Sequence, residues 1–141
     1  MRPWTSACDL SAPRSSGSTD NQGVSKPFAD PSCLFCRIGR REIPAKIVFE
    51  DEIVLAFHDV APKAPTHVLV IPKTHLARLS ETSGADAALL GECLAAIRGV
   101  ARSLSLESYR VVINDGAEAG QSVFHVHFHL LGGRAFAWPP G

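Results

Sequence analysis

The chain has no net charge and no run of like charges. Fourteen basic side chains balance fourteen acidic ones over 141 residues. That balance argues against a protein that tracks a nucleic-acid backbone or grips an anionic membrane surface. No apolar stretch approaches the roughly 20 residues of a membrane-spanning helix. The opening MRPWTSACDLSAPRSSG lacks the apolar centre of a secretory signal. No segment repeats another, and no pair of nearby carboxylates suits magnesium. Cysteine is scarce, at four residues. Without a secretory signal these are expected in a reducing compartment, where Cys-x-x-Cys reads as metal or redox chemistry rather than a disulfide frame. What is present is 45% hydrophobic residues, enough for the core of one domain with a tail. A small, locally recognised ligand is the expectation. The compartment expected is the cytoplasm, with the nucleus as a second.

Residues 1–27 are rich in Ser, Pro, Gly, Asn and Asp without periodicity, and read as a disordered tail. Its serines, with Arg2 and Arg14, leave organelle targeting open, while Asp9 and Asp20 weigh against it. The domain is expected over 28–141. PSCLFCRIGRRE predicts a short helix ended by Gly39 and Pro44. KIVFE and IVLAFHDV predict a hairpin turned at Asp51 and Glu52. THVLVI is a third strand stopped by Pro72. Residues 85–104 form one long helix, in which Leu90, Cys93, Leu94, Ile97, Val100, Ala101 and Leu104 recur as a buried stripe. Tyr109 to Asn114 is a fourth strand, and QSVFHVHFHLLGG, residues 121–133, a fifth. The class expected is α+β, an antiparallel sheet of about five strands with one long and one short helix.

The fifth strand carries His125, His127 and His129 at period two, so the three share one face about 7 Å apart. Val126, Phe128 and Leu130 then face the long helix. Three of the chain's six histidines in strict alternation exceed what a polar sheet face needs. Two chemistries compete. Imidazoles are common metal ligands, and a neutral imidazole held in one tautomer is a nucleophile with a proton shuttle beside it. The preceding NDGAEAGQS places Gly116, Gly120, Gln121 and Ser122 ahead of the histidines. Its glycines suggest an anion nest and favour phosphate ester or phosphoramidate chemistry. Asp59, at a strand end, suits two hydroxyl hydrogen bonds or a turn cap. His67 shares a face with Leu69 and Ile71 and alone reads as a core histidine. His58 reads as structural, and Cys93 as core. Cys33 and Cys36 in CLFC have the spacing of half a zinc site, two ligands short.

HVHFHLL matches the His-x-His-x-His signature of the histidine-triad (HIT) superfamily. AKIVFEDE, LAFHDVAPKAPTHVLVIPKTH, YRVVINDG, AGQSVFHVHFHLLGGR and WPPG resemble its HINT branch, the histidine-triad nucleotide-binding proteins. The likeness spans about residues 30–141. It implies a homodimer with one continuous sheet, joined mainly through the 85–104 helix and the strand before it. It implies a hydrolase that converts adenosine 5′-phosphoramidates and aminoacyl-adenylates to AMP through a covalent histidine–AMP intermediate. His127 then corresponds to the nucleophile, while His129 and His67 handle protons and Ser122 sits near the leaving nitrogen. Asn114, Gly120 and Gln121 correspond to phosphate and loop contacts, and Asp59 to the ribose-binding carboxylate. Leu34, Phe35, Ile38, Phe57, Val60 and Leu69 correspond to the wall around the base. Trp138 belongs to a tail reaching toward the partner's site. The same resemblance completes the cysteine pair with His75 and His125, giving a closed structural Zn²⁺ site, with no metal needed for catalysis. The ligand implied is a purine nucleoside monophosphate or phosphoramidate, with no nucleic acid and no membrane as partner. A dinucleoside polyphosphate hydrolase, a nucleotidyl transferase and a nucleotide-binding regulatory or scaffold protein stay open beside it.

Overall fold

The computed structural model describes residues 26–141. The tail expectation, and Cys8 with it, falls outside the described residues but for Lys26 and Pro27. The elements run α1 (Leu34–Gly39), β1 (Ile47–Glu50), β2 (Val54–His58), β3 (Thr66–Pro72), α2 (Ala87–Ser103), β4 (Tyr109–Ile113) and β5 (Phe128–Gly132). The strands form one antiparallel sheet in the order β1-β2-β3-β5-β4. This is the α+β class with one short and one long helix that the residue pattern predicts. Among the described residues no helix is long and apolar enough to cross a membrane.

The hairpin turn between β1 and β2 is built by Asp51, whose Oδ1 accepts the N–H groups of Ile53 and Val54, each at 2.7 Å. β2 and β3 read as unbroken apolar runs because both sheet faces are covered. On one face Val54, Ala56, Val68 and Val70 pack under Cys93, Ile97, Val100 and Ala101 of α2. On the other, Leu55, Phe57, Leu69 and Ile71 pack under Phe35, Cys36 and Ile38 of α1. Val126, Phe128 and Leu130 lie in the α2 core, as their alternation with the histidines predicts. Cys93 is wholly buried in this core, and that burial pushes its thiol up to about 12.

Three expectations are corrected. Leu94, assigned to the buried stripe, is 51% exposed, because α2 presents a narrower face to the sheet than the full apolar set. The fifth strand begins only at Phe128. The ladder stops at the Val70–Phe128 pair, since Pro72 has no N–H to donate and the Val126 N–H goes instead to Leu76 O at 2.6 Å. Of the three histidines only His129 lies within β5. Finally, β3 is hydrogen-bonded on both sides, so it has no free edge with which to extend a sheet into a second subunit; the edges are β1 and β4.

Candidate active site and metal centre

The segment before β5 is held by one buried amide. Gln121 Oε1 accepts the Gly116 N–H at 2.8 Å, and its Nε2 donates to Ala77 O at 2.8 Å and Val123 O at 3.1 Å. Gly116 and Gly120 take φ of +98° and +103°, where a side chain would be strained. The N–H groups of Gly116, Ala119, Gly120 and Gln121 all donate inside the loop. This corrects the anion-nest reading: these donors shape the loop and do not point at a ligand. Gln121 is accordingly a loop tie, and Gly120 passes close under the amide of Asn114.

Downstream, the three histidines divide. The His125 ring is wholly buried and turns away from the row. Its Nε2–H donates to Pro72 O at 2.8 Å, which leaves Nδ1 bare. That nitrogen lies 3.5 Å from Cys33 Sγ, 3.6 Å from Cys36 Sγ and 3.1 Å from His75 Nδ1. His75 Nδ1 is itself 3.5 Å from Cys36 Sγ. All four donor atoms fall within 4.8 Å of one another. A tetrahedral ion with bonds of about 2.3 Å to sulfur and 2.0–2.1 Å to nitrogen spaces its ligands roughly 3.3–3.8 Å apart. The second nitrogen of His125 is supported as in metal-binding imidazoles, by the Pro72 carbonyl, while His75 Nε2 faces Asp30 Oδ2 at 3.6 Å, too far for a hydrogen bond. The donor set therefore fits a metal ion. Burial pushes the Cys36 thiol up to about 11, so a bound cation has to displace a proton there.

The other imidazoles stay together. His127 Nδ1–H donates to His125 O at 2.7 Å; the carbonyl can only accept, so Nε2 carries the lone pair. Its ring stands edge-on to Phe35 at 5.0 Å and 5.0 Å from that of His129. His67, on β3, reaches across to His129, with Nε2 to Nδ1 at 2.9 Å and Asp59 Oδ2 at 3.4 Å from the same Nε2. Burial lowers the pKa of His67 and His127 below the usual imidazole range and takes His129 down to about 4. All three rings are thus neutral at neutral pH.

Two pockets open on this row. One, of about 270 Å³, is walled by Leu34, Phe35, Ile38, Phe57, Val60 and Leu69, with His127 and His129 at its end. The other, of about 380 Å³, holds His67, His129, Asn114 and Asp59. Ser122 lines both. Asp59 also lines both, and its Oδ1 accepts the Ala61 N–H at 2.8 Å. It is thus a turn cap with its second oxygen free of that turn. Val60 belongs to the wall yet is 95% exposed, so it forms the rim. Trp138 is 80% exposed and lines neither pocket; its ring lies 6.0 Å from the Arg110 guanidinium. A larger open cleft of about 710 Å³ adjoins at Asp59 and His67, but neither His127 nor His129 lines it.

Sequence reasoning missed several wall residues. His58, read as structural, is exposed at the end of β2 and lines the apolar pocket. Ile43, Ala45 and Val123 complete the wall. They come from irregular segments with no periodicity to betray them. Phe28 packs in the α1 core, although it stands at the edge of the tail composition.

A row of neutral imidazoles, one with a bare nitrogen, ends an apolar pocket, and a two-cysteine two-histidine cluster lies behind it. A family model for the HIT domain matches residues 40–136. The chain belongs to the HIT domain family. This HIT domain is 56% identical over 109 residues to an uncharacterised HIT-like protein of Synechocystis, covering 77% of this chain and 96% of the relative. It is 45% identical over 127 residues to the 14 kDa zinc-binding protein of Zea mays, covering 88% and 99%. Among solved structures, a HIT family hydrolase from Legionella pneumophila superposes with a TM-score of 0.75 at 49% identity, covering 77% of this chain and 99% of that one. A Zn-bound histidine triad family protein from Mycobacterium smegmatis gives 0.64 at 38% identity, covering 73% and 76%.

Proposed function

We propose that this HIT domain is a purine nucleoside phosphoramidase of the HINT type, hydrolysing adenosine 5′-phosphoramidates and aminoacyl-adenylates to AMP. The observation that carries the reading is the His127 tautomer. The His125 carbonyl holds Nδ1–H, so Nε2 is a neutral, bare nucleophile on a ring that lines the pocket. The base lies between Phe35, Phe57 and their aliphatic neighbours, and the ribose hydroxyls bond to Asp59. His127 Nε2 attacks the α-phosphorus, the P–N bond breaks, and an imidazole-bound AMP forms. The leaving nitrogen takes its proton from the His129–His67 pair, with Ser122 beside it. Water then cleaves the P–N bond to His127 and returns a proton to the pair. Two rings of the same row thereby serve opposite roles, as the bare nitrogen of one and the hydrogen-bonded pairing of the other support.

Zn²⁺ is the metal proposed for Cys33, Cys36, His75 and His125. The spacing of the four donors supports it, and so do the maize and mycobacterial relatives, described as zinc-binding and Zn-bound. Such an ion would cross-link α1 to the segment before β5. Four protein ligands leave no position for an activated water. A homodimer is proposed as well, through α2 and the β4 edge, where Leu94, Tyr109 and Val111 are exposed.

The test is AMP release from an adenosine 5′-phosphoramidate in the presence of EDTA, with a dinucleoside polyphosphate as the competing substrate. Wild type is expected to turn over the phosphoramidate, and His127→Asn to lose about 10⁴-fold or more in kcat with AMP binding kept. No turnover in a folded, AMP-binding wild type would sink the hydrolase and favour a nucleotide-binding scaffold. Preference for the dinucleotide would move the reaction to the polyphosphate hydrolases of the superfamily.

A further inference from the structure

We propose that the peptide N–H of Lys63 is the positioning group that sets the direction of the imidazole relay. A peptide N–H can only donate. It stands 3.0 Å from His67 Nδ1, so that nitrogen accepts and the ring hydrogen sits on Nε2. His67 Nε2 then donates to the nearer acceptor, His129 Nδ1 at 2.9 Å, rather than to Asp59 Oδ2 at 3.4 Å. His129 Nδ1 therefore presents a lone pair, and its hydrogen lies on Nε2. The outcome is an alternation along the row: His127 offers a bare nitrogen and its neighbour His129 an N–H.

The reverse tautomer shows what the N–H decides. With hydrogen on His67 Nδ1, Nε2 would be bare, His129 would carry its hydrogen on Nδ1, and its Nε2 would be bare too. Two lone pairs would then meet the phosphoramidate and no imidazole would donate to the leaving nitrogen. The same lock keeps a divalent ion out of a cluster that otherwise looks suited to one. Asp59, His67 and His129 bring donor atoms within 4.8 Å of one another. Coordination through His67 Nε2 needs that nitrogen bare, which forces a hydrogen on Nδ1 against the Lys63 N–H.

The loop is built to hold this one donor. Asp59 N–H donates to His67 O at 2.9 Å and Ala61 N–H to Asp59 Oδ1 at 2.8 Å, closing residues 59–67 on themselves. Pro62 and Pro65 fix φ on either side of Lys63 and Ala64. The Lys63 side chain stays with the loop, its Nζ donating to Ala61 O at 3.1 Å and adding a positive charge near His67. The donor itself is a peptide N–H that every residue but proline carries, which is why sequence reading passes over the position.

The tautomer stands on geometry alone; its effect on turnover rests on the phosphoramidase reading. Nitrogen-15 NMR of the full chain, labelled at histidine and free of substrate, separates protonated from bare ring nitrogens. His67 is expected to show a bare Nδ1 and a protonated Nε2, and His129 a bare Nδ1. Lys63→Ala keeps the N–H and is expected to keep these signals. Lys63→Pro removes the N–H and is expected to populate the second His67 tautomer, with kcat down about 100-fold and KM little changed. A wild-type His67 protonated at Nδ1 overturns the proposal, as does a folded Lys63→Pro protein with wild-type ring signals. Should Lys63→Pro not fold, the wild-type spectrum decides. Absence of AMP release with the expected spectrum intact would count against the phosphoramidase reading and leave the tautomer standing.

Discussion

At the residue scale, burial of histidines couples charge to stability. His129 falls from 6.5 to about 4, and His67 and His127 fall in the same direction, each chiefly through desolvation of the cation. Below pH 6.5 the unfolded chain takes up protons that the folded rings refuse. The stability is therefore complete above pH 6.5 and declines as pH drops toward 4. Thermal melts across that range are expected to show a falling Tm, and His129→Asn is expected to flatten part of the slope. A Tm in the variant that tracks wild type at every pH would contradict this. His127 shows how far one residue can be read in sequence. Its period-two spacing marks it as special, but the carbonyl that holds its tautomer is visible only in the fold.

At the scale of elements, α1 is the weak member. Six residues cannot sustain a helix in water alone, so it depends on what it touches. Gly39, read in sequence as a helix stop, is the last helical residue. Its lack of a side chain is what admits the Phe28 ring, since a Cβ there would lie 2.4 Å from ring carbons. Gly39→Ala is expected to expel Phe28 and cost about 2–4 kcal/mol, measured by urea denaturation; a loss under about 0.5 kcal/mol would show that the ring can move aside freely. The proposed metal would be a second hold on α1. Removing the metal with a chelator is expected to raise hydrogen exchange in α1 far more than in β3. Equal protection of α1 with and without chelator would mean the cluster does not brace it. α2 needs no such help: it runs 17 residues with a buried face of Cys93, Ile97, Val100 and Ala101, and the 3-10 turn Gly84–Asp86 that leads into it is fixed by a Ser83–Asp86 capping box.

At the scale of the whole molecule, exposure on one side is unequal. Leu94 of α2 and Tyr109 and Val111 of β4 are apolar and open to solvent in a single chain, and β4 is a sheet edge. The proposed dimer covers them. Leu94→Glu is expected to convert a dimer into a folded monomer in sedimentation analysis, because among the described residues that side chain is half open to solvent. A monomeric wild type at micromolar concentration would remove the interface altogether.

The periodicity of α2, the hairpin and the presence of five strands were legible in sequence because they depend on local patterning of apolar residues. The triad, CLFC and the apolar wall were legible because their spacings match a known family. Adjacency across the chain was not: His67 meets His129, and His75 and His125 meet Cys33 and Cys36, only once β3 and β5 pair and α1 packs over them. Nor was direction. His125, His127 and His129 are chemically equal along the chain, and their separation into one cysteine-facing ring, one bare nitrogen and one donor comes from the Pro72 and His125 carbonyls and the Lys63 N–H. Sequence decides which side chains stand on a face; backbone hydrogen-bond partners, placed by tertiary packing, decide which nitrogen of each ring carries the proton.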